Sequence, residues 1–237
     1  MEIENNNQST AIFKTFGLSE DKLREILKPL NKLRRSIKID IEATLLDCAL
    51  TLYYSRRANK ANVSEYIAAV TEALQDNIYA VVDEPLELTV AQLAMARGAL
   101  IRTAESFTGG RVAAELTRHP GAGQFFDEGV TTYSEEAKMR RLGVSSLTIK
   151  NHGAVSVETA YEMAAGLVSG NKSWGIATTG YAGPDAPEGR LGECYIAVGN
   201  STGIHIYGHR LDGGREAVVQ NGVKWALWYL YKALKNI

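Results

Sequence analysis

The stretch that most constrains this chain is Thr103-Ala104-Glu105-Ser106-Phe107-Thr108-Gly109-Gly110. An apolar run (Ala99, Leu100, Ile101) precedes it and a helical pattern (Val112, Ala113, Leu116) follows, so it reads as a strand–turn–helix corner. Paired glycines let a ligand approach the main chain, and a helix start offers free backbone N–H groups beside the Ser106 hydroxyl. A nucleophile or a bound anion fits such a corner. So does a plain turn in which Ser106 or Thr108 only caps the helix, and the octapeptide alone does not separate the two.

The surrounding pattern places the corner in an α/β domain. Helix (86–97), strand (99–103), helix (111–117), strand (129–133) and helix (135–142) alternate, with Gly143 suited to a helix C-terminal cap. Ser156 can cap a helix carrying Ala160, Met163, Ala164 and Leu167, and 174–178 reads as the next strand. Residues 194–198 and 204–210 look like an antiparallel pair, and Val219, Val223, Leu227, Leu230 and Leu234 mark a final helix.

Before Asp83-Glu84-Pro85 the pattern is different. A strand over 11–16 leads to Ser19 as an N-cap, with Leu23, Ile26, Leu27 and Leu30 at helical spacing. Ile37, Ile39 and Ile41 alternate with polar residues as in a half-buried strand, extended structure continues or repeats over 51–54, and Val63, Ile67, Val70 and Leu74 make a second amphipathic helix before a strand over 78–82. The expected organisation is a flexible N-terminus over 1–10, a small α+β domain over 11–85, and an α/β domain with a mixed sheet over 86–237.

A formal net charge of -1 gives no electrostatic reason to expect nucleic acid or an anionic membrane as partner. No apolar run approaches the roughly 20 residues of a membrane span. The polar start lacks a signal peptide's apolar segment, which points to a cytoplasmic protein. Cys48 and Cys194 are the only cysteines, without disulfide-framework or metal-ligand spacing, and read as buried thiols. His205 and His209 on one strand stand about 13 Å apart, too far to share a metal.

Three further groups carry chemistry. Tyr133-Ser134-Glu135-Glu136-Ala137-Lys138 puts a phenol at a strand end and an amine on the first turns of a helix. A lysine desolvated beside Ser106 can lose its proton and act as base, and a neighbouring tyrosine can relay one; a solvated helix lysine fits the same spacing. Thr179, Gly180 and Gly183 follow an apolar strand in a loop that can be a binding wall or a long turn. Arg215, after Gly213-Gly214, suits phosphate or carboxylate, or is a surface arginine.

Taken together, the corner, the Tyr133 to Lys138 segment, His152-Gly153-Ala154-Val155-Ser156 and Thr179-Gly180-Tyr181-Ala182-Gly183-Pro184 resemble the C-terminal domain of the CinA competence/damage-inducible family, in order from about Leu88 onward. The resemblance implies an amidohydrolase that converts nicotinamide mononucleotide to the nicotinate mononucleotide and ammonia, without metal or cofactor, as a homodimer or larger homo-oligomer. It makes Ser106 the nucleophile, Lys138 its base and Tyr133 an assistant. Glu105, Thr108, Gly109, Gly110, Thr179, Gly180, Gly183 and Arg215 are the expected substrate-binding residues, with amides near 108–110 stabilising an oxyanion.

The chain departs from that family where Phe107, Glu135 and Tyr181 replace Cys, Asn and Ile, and where Gly192-Glu193-Cys194 replaces a more neutral segment. Glu135 and Glu193 put negative charge near a site meant for a mononucleotide phosphate. A non-catalytic module that binds a nucleotide or a protein is the alternative these departures raise. Thr15 to Glu20 and Asp76 to Tyr79 resemble the family's KH-like middle domain, yet no glycine lies between Gly17 and Gly98, so the GxxG clamp of RNA-binding KH modules is absent. The family's large first domain has no counterpart in the sequence, and its pyrophosphatase function is not carried over.

Overall fold

The computed structural model describes residues 7–170, 172–184 and 186–235, which fall into two compact units divided between Pro85 and Leu86. The first unit runs β1 (Gln8–Phe16), α1 (Glu20–Leu27), β2 (Ile37–Ala43), β3 (Asp47–Ser55), α2 (Lys60–Leu74) and β4 (Ile78–Ala80). Its strands form one antiparallel sheet in the order β2-β3-β1-β4. Strand β1 begins earlier than its apolar residues indicate, because Gln8, Ser9 and Thr10 pair with Ser55, Tyr54 and Tyr53. The flexible reading of 8–10 is thereby corrected, since backbone pairing asks nothing apolar of a side chain; residues 1–6 lie outside the described residues.

Local chemistry sets the helix ends here. Ser19 accepts the Lys22 amide at 3.2 Å and starts α1, and Asn59 accepts the amides of Ala61 and Asn62 to start α2. Pro29 ends the α-helical hydrogen bonding, and the chain continues as a 3₁₀ turn over Lys28–Lys32. Leu23, Leu27, Val63, Tyr66, Val70 and Leu74 pack on the sheet's Phe13, Leu50 and Leu52. The βαββαβ order with this strand arrangement is the split-βαβ fold.

The second unit runs α3 (Leu86–Arg97), β5 (Leu100–Glu105), α4 (Arg111–Thr117), β6 (Phe126–Thr131), α5 (Glu135–Leu142), α6 (Ser146–His152), α7 (Val157–Ala165), β7 (Ser173–Gly180), β8 (Glu193–Asn200), β9 (Gly203–Arg210) and α8 (Arg215–Lys235). Its mixed sheet has the order β6-β5-β7-β8-β9, with β5 parallel to both neighbours and β7, β8 and β9 successively antiparallel. Helix α6, ending at His152, is an element beyond those the sequence pattern predicts; Ser145 caps it by accepting the Leu147 amide at 3.2 Å.

Strand β7 is buried on both faces, as the centre of a three-layer sandwich must be. Helix α7 packs on one face of β7, β8 and β9, where Ala104, Ala177 and Ala197 leave room for Ala160, Met163 and Ala164. Helices α3, α4 and α8 cover the other face, where Cys194 meets Val218 and Val219. Small residues permit close approach at two more points. A methyl at Gly175 would lie 2.5 Å from the Ala164 carbonyl oxygen, and one at Gly180 would lie 2.4 Å from Cys194 Cβ. Among the described residues, no helix is long and apolar enough to cross a membrane.

Candidate active site

The parallel strands β5, β6 and β7 all deliver residues to one end of the sheet, the carboxyl end where α/β folds bind ligands. Ser106 follows β5 directly and donates its backbone N–H to the Thr178 carbonyl at 3.0 Å, so the neighbouring strand fixes it. Thr108 and Thr178 share a buried hydroxyl–hydroxyl bond of 2.6 Å. Gly109 (φ 62°) and Gly110 (φ 90°) take left-handed conformations that favour glycine, and the turn closes through the Gly109 amide on the Ser106 carbonyl at 3.1 Å.

Helix α4 is started neither by Ser106 nor by Thr108. The carboxylate of Glu105, 1% exposed, accepts the amides of Gly110 at 2.9 Å, Val112 at 3.0 Å and Ala113 at 2.8 Å. A strand-end side chain thus fills the anion position that the helix start creates. This corrects two expectations. Glu105 faces the helix instead of a substrate, and the Gly109 and Gly110 amides are taken. Phe107 and Thr108 are the turn residues whose amides find no protein acceptor among the described residues.

Lys138 reaches Ser106 across 32 positions of sequence. Ser134 accepts the Ala137 amide at 3.1 Å, which fixes the first turn of α5 and returns Lys138 towards β5. Its Nζ lies 3.1 Å from Ser106 Oγ, 2.9 Å from the Thr132 carbonyl oxygen and 3.2 Å from that of Tyr133. Lys138 is 1% exposed and has no carboxylate at ion-pairing distance among the described residues. Burial disfavours its ammonium form and lowers its pKa from 10.5 to about 8, against a smaller opposing pull from Glu135. Two of the three contacts are carbonyls, which only accept. A neutral amine gives them its two N–H groups and turns its lone pair to the Ser106 hydroxyl.

Around this pair lies a cavity of about 320 Å³, whose lining includes Ser106, Lys138, Phe107, Tyr133, Tyr181 and Arg215. Thr179, Gly180 and Gly183 also line it, with Glu135, Ala154, Val155 and Ala182, whereas Glu105, Thr108, Gly109 and Gly110 build the corner behind it. The Thr179 hydroxyl donates to the Ala154 carbonyl at 2.6 Å and so ties two walls together. The Tyr133 hydroxyl accepts from Arg215 Nη2 at 2.9 Å, and no hydrogen bond joins it to Ser106 or Lys138. The proton-relay position expected for Tyr133 is therefore replaced by a link between Arg215 and the strand end. A methyl at Gly183 would stand 3.0 Å from Arg215 Nη1, so this glycine lets the loop lie close to the guanidinium.

Two features lay outside sequence reasoning. Phe107 lines the cavity and is seated by Gly222 of α8, where a methyl would lie 2.5 Å from ring atoms Cε2 and Cζ. Glu193, expected to place negative charge at the site, is not part of the lining; Arg190 holds it at 2.8 and 2.7 Å and offsets its charge. Only the acidic neighbour, three residues away, hinted at that pairing. Cys194 is fully buried and burial pushes its thiol up to about 12, an inert packing group. Among the described residues no group of three or more His, Cys, Asp or Glu side chains is arranged to hold a metal.

Fold and site together define an α/β/α sandwich with a buried serine–lysine pair at the carboxyl ends of its parallel strands. Sequence comparison places that class more narrowly. The chain belongs to the CinA C-terminal domain family, whose profile matches residues 83–234. It is 37% identical over 214 residues to a provisionally named competence-damage inducible protein of Caldanaerobacter subterraneus subsp. tengcongensis, covering 87% of this chain and 51% of that protein. A CinA-like protein of Chloroherpeton thalassium is 47% identical over 135 residues, 55% of this chain and 32% of that protein. The crystal structure of a CinA superfamily protein from Klebsiella pneumoniae superposes with a TM-score of 0.61 at 37% identity, covering 64% of this chain and 97% of that one. The chain spans about half the length of the curated relative from Caldanaerobacter.

Proposed function

We propose that the second unit is an amidohydrolase that deamidates nicotinamide mononucleotide to the nicotinate mononucleotide and ammonia. The observation that carries this reading is the buried Lys138 Nζ at 3.1 Å from Ser106 Oγ, its pKa lowered to about 8. At pH 7 about a tenth of such a lysine is neutral, enough to serve as base.

Neutral Lys138 takes the Ser106 hydroxyl proton as Oγ forms a bond to the carboxamide carbon. The oxyanion is met by the free Phe107 amide, the donor next to the nucleophile. Collapse breaks the C–N bond, Lys138 returns the proton to the leaving nitrogen, and ammonia departs from an ester on Ser106. Lys138 then deprotonates a water that attacks the ester, and the serine is restored with release of the carboxylate. Arg215 supplies the positive charge for the phosphate, and Tyr133 holds its guanidinium at 2.9 Å.

The test is ammonia release from nicotinamide mononucleotide by wild type, Ser106→Ala and Lys138→Ala. Both variants are expected to lose at least about a thousandfold in kcat. Wild type without turnover, or Ser106→Ala with full turnover, overturns the reading and favours a binding module.

A further inference from the structure

The part of the cavity wall formed by Val155 and Tyr181 is held by residues that do not line it. Arg190 grips Glu193 with two hydrogen bonds, Nε to Oε2 at 2.8 Å and Nη2 to Oε1 at 2.7 Å. Its Nη2 also donates to the Val155 carbonyl oxygen at 3.1 Å, and its Nη1 to the Tyr181 hydroxyl at 3.4 Å. The guanidinium carbon lies 4.8 Å from the centre of the Tyr181 ring. Tyr195 adds a hydrogen bond from its hydroxyl to Glu193 Oε1 at 3.1 Å.

Backbone bonds brace the same place. The Tyr181 amide donates to the Glu193 carbonyl at 2.9 Å and the Gly192 amide to the Tyr181 carbonyl at 2.8 Å. Tyr181 and Val155 line the cavity and Arg190 does not, so the guanidinium backs the ring from outside. The planar fork of an arginine suits this place, because it meets a carboxylate, a carbonyl and an aromatic ring at once.

We propose that Arg190, locked by Glu193, is a positioning residue that holds Tyr181 and the Val155 segment as one rigid wall and sets how firmly the site grips a planar aromatic ring. The proposal rests on the amidohydrolase reading for the identity of the ring, and it assigns Arg190 to substrate grip and not to the chemistry of Ser106. Aromatic faces recognise flat rings by stacking, and a side chain ordered in advance loses less freedom when the ligand arrives. Ser106 and Lys138 are held by separate contacts, to Thr178, Thr132 and Tyr133, that none of these bonds touches.

The experiment uses the full chain as wild type, Arg190→Ala and Glu193→Gln. Hydrogen exchange should quicken by about tenfold or more at the Tyr181 and Gly192 amides in Arg190→Ala and stay unchanged over 103–110. With nicotinamide mononucleotide, KM should rise about tenfold with kcat within about twofold. Acylation by p-nitrophenyl acetate, too small to need the wall, should match wild type. Glu193→Gln, which keeps an acceptor for Arg190, should shift the same quantities less. Unchanged exchange at 181 and 192, an unchanged KM, or a parallel fall in kcat and ester reaction overturns the proposal. If wild type releases no ammonia while exchange quickens as stated, the amidohydrolase reading fails and the clamp on the wall stands.

Discussion

Replacing Lys138 by methionine removes a buried amine while keeping an unbranched chain of similar length, and its effect on stability depends on pH in a calculable way. In the folded protein Lys138 releases its proton near pH 8, whereas an unfolded lysine keeps it to 10.5. Between those values the unfolded state binds the extra proton, so wild-type stability rises with pH there and is penalised below. Integrating the two titrations gives a gain of about 2.5 kcal/mol for wild type relative to Lys138→Met between pH 7 and pH 10. The carbonyls of Thr132 and Tyr133, left unpaired in the variant, add a cost that does not vary with pH and so moves the difference without changing its slope. The assay is urea unfolding of both proteins at several pH values, followed by tryptophan fluorescence. Trp174, Trp225 and Trp228 all lie beyond Pro85, so the signal reports on the unit that holds the site. A stability difference that stays flat from pH 7 to pH 10 would refute the lowered pKa and with it the case for Lys138 as base.

The rate of amide hydrolysis should follow the same titration, climbing about tenfold per pH unit below pH 8 and levelling above it; a profile flat from pH 6 to pH 9 contradicts the assignment. Glu105→Ala strands three amides at the start of α4 and should cost about 3 kcal/mol or more in denaturant unfolding, against less than about 1 kcal/mol if solvent replaces the carboxylate freely. Gly222→Ala pushes a methyl to 2.5 Å from the Phe107 ring and should slow acylation of Ser106 by a serine-directed fluorophosphonate about tenfold; labelling at the wild-type rate means that the ring yields without moving its amide.

The pieces of this fold that local chemistry dictates could be read from the sequence. The bounds of α5, the caps at Ser19 and Ser156 and the left-handed Gly143 follow from periodicity and capping alone. What depends on tertiary approach could not. Nothing in the spacing of Ser106 and Lys138 measures the 3.1 Å between them, because the parallel pairing of β5 with β6 brings those strand ends together. Glu105 looked like a site residue because its capping contacts reach five to eight positions along the chain, beyond the usual N-cap pattern of two or three. The seating of Phe107 under Gly222 joins residues from opposite ends of the domain and leaves no local trace.

The carboxylate of Glu105 has a consequence for ligands made to occupy this cavity. A glycine-rich turn at a helix start can cradle a phosphate, and this one is plugged by the protein itself. An inhibitor carrying a phosphonate gains nothing by directing it at α4, where it would meet a like charge already in residence. Its anionic group belongs beside Arg215, with the electrophile at Ser106, both of which line the cavity. The plug thus turns an anionic substituent away from the glycine turn and towards the guanidinium in the cavity lining.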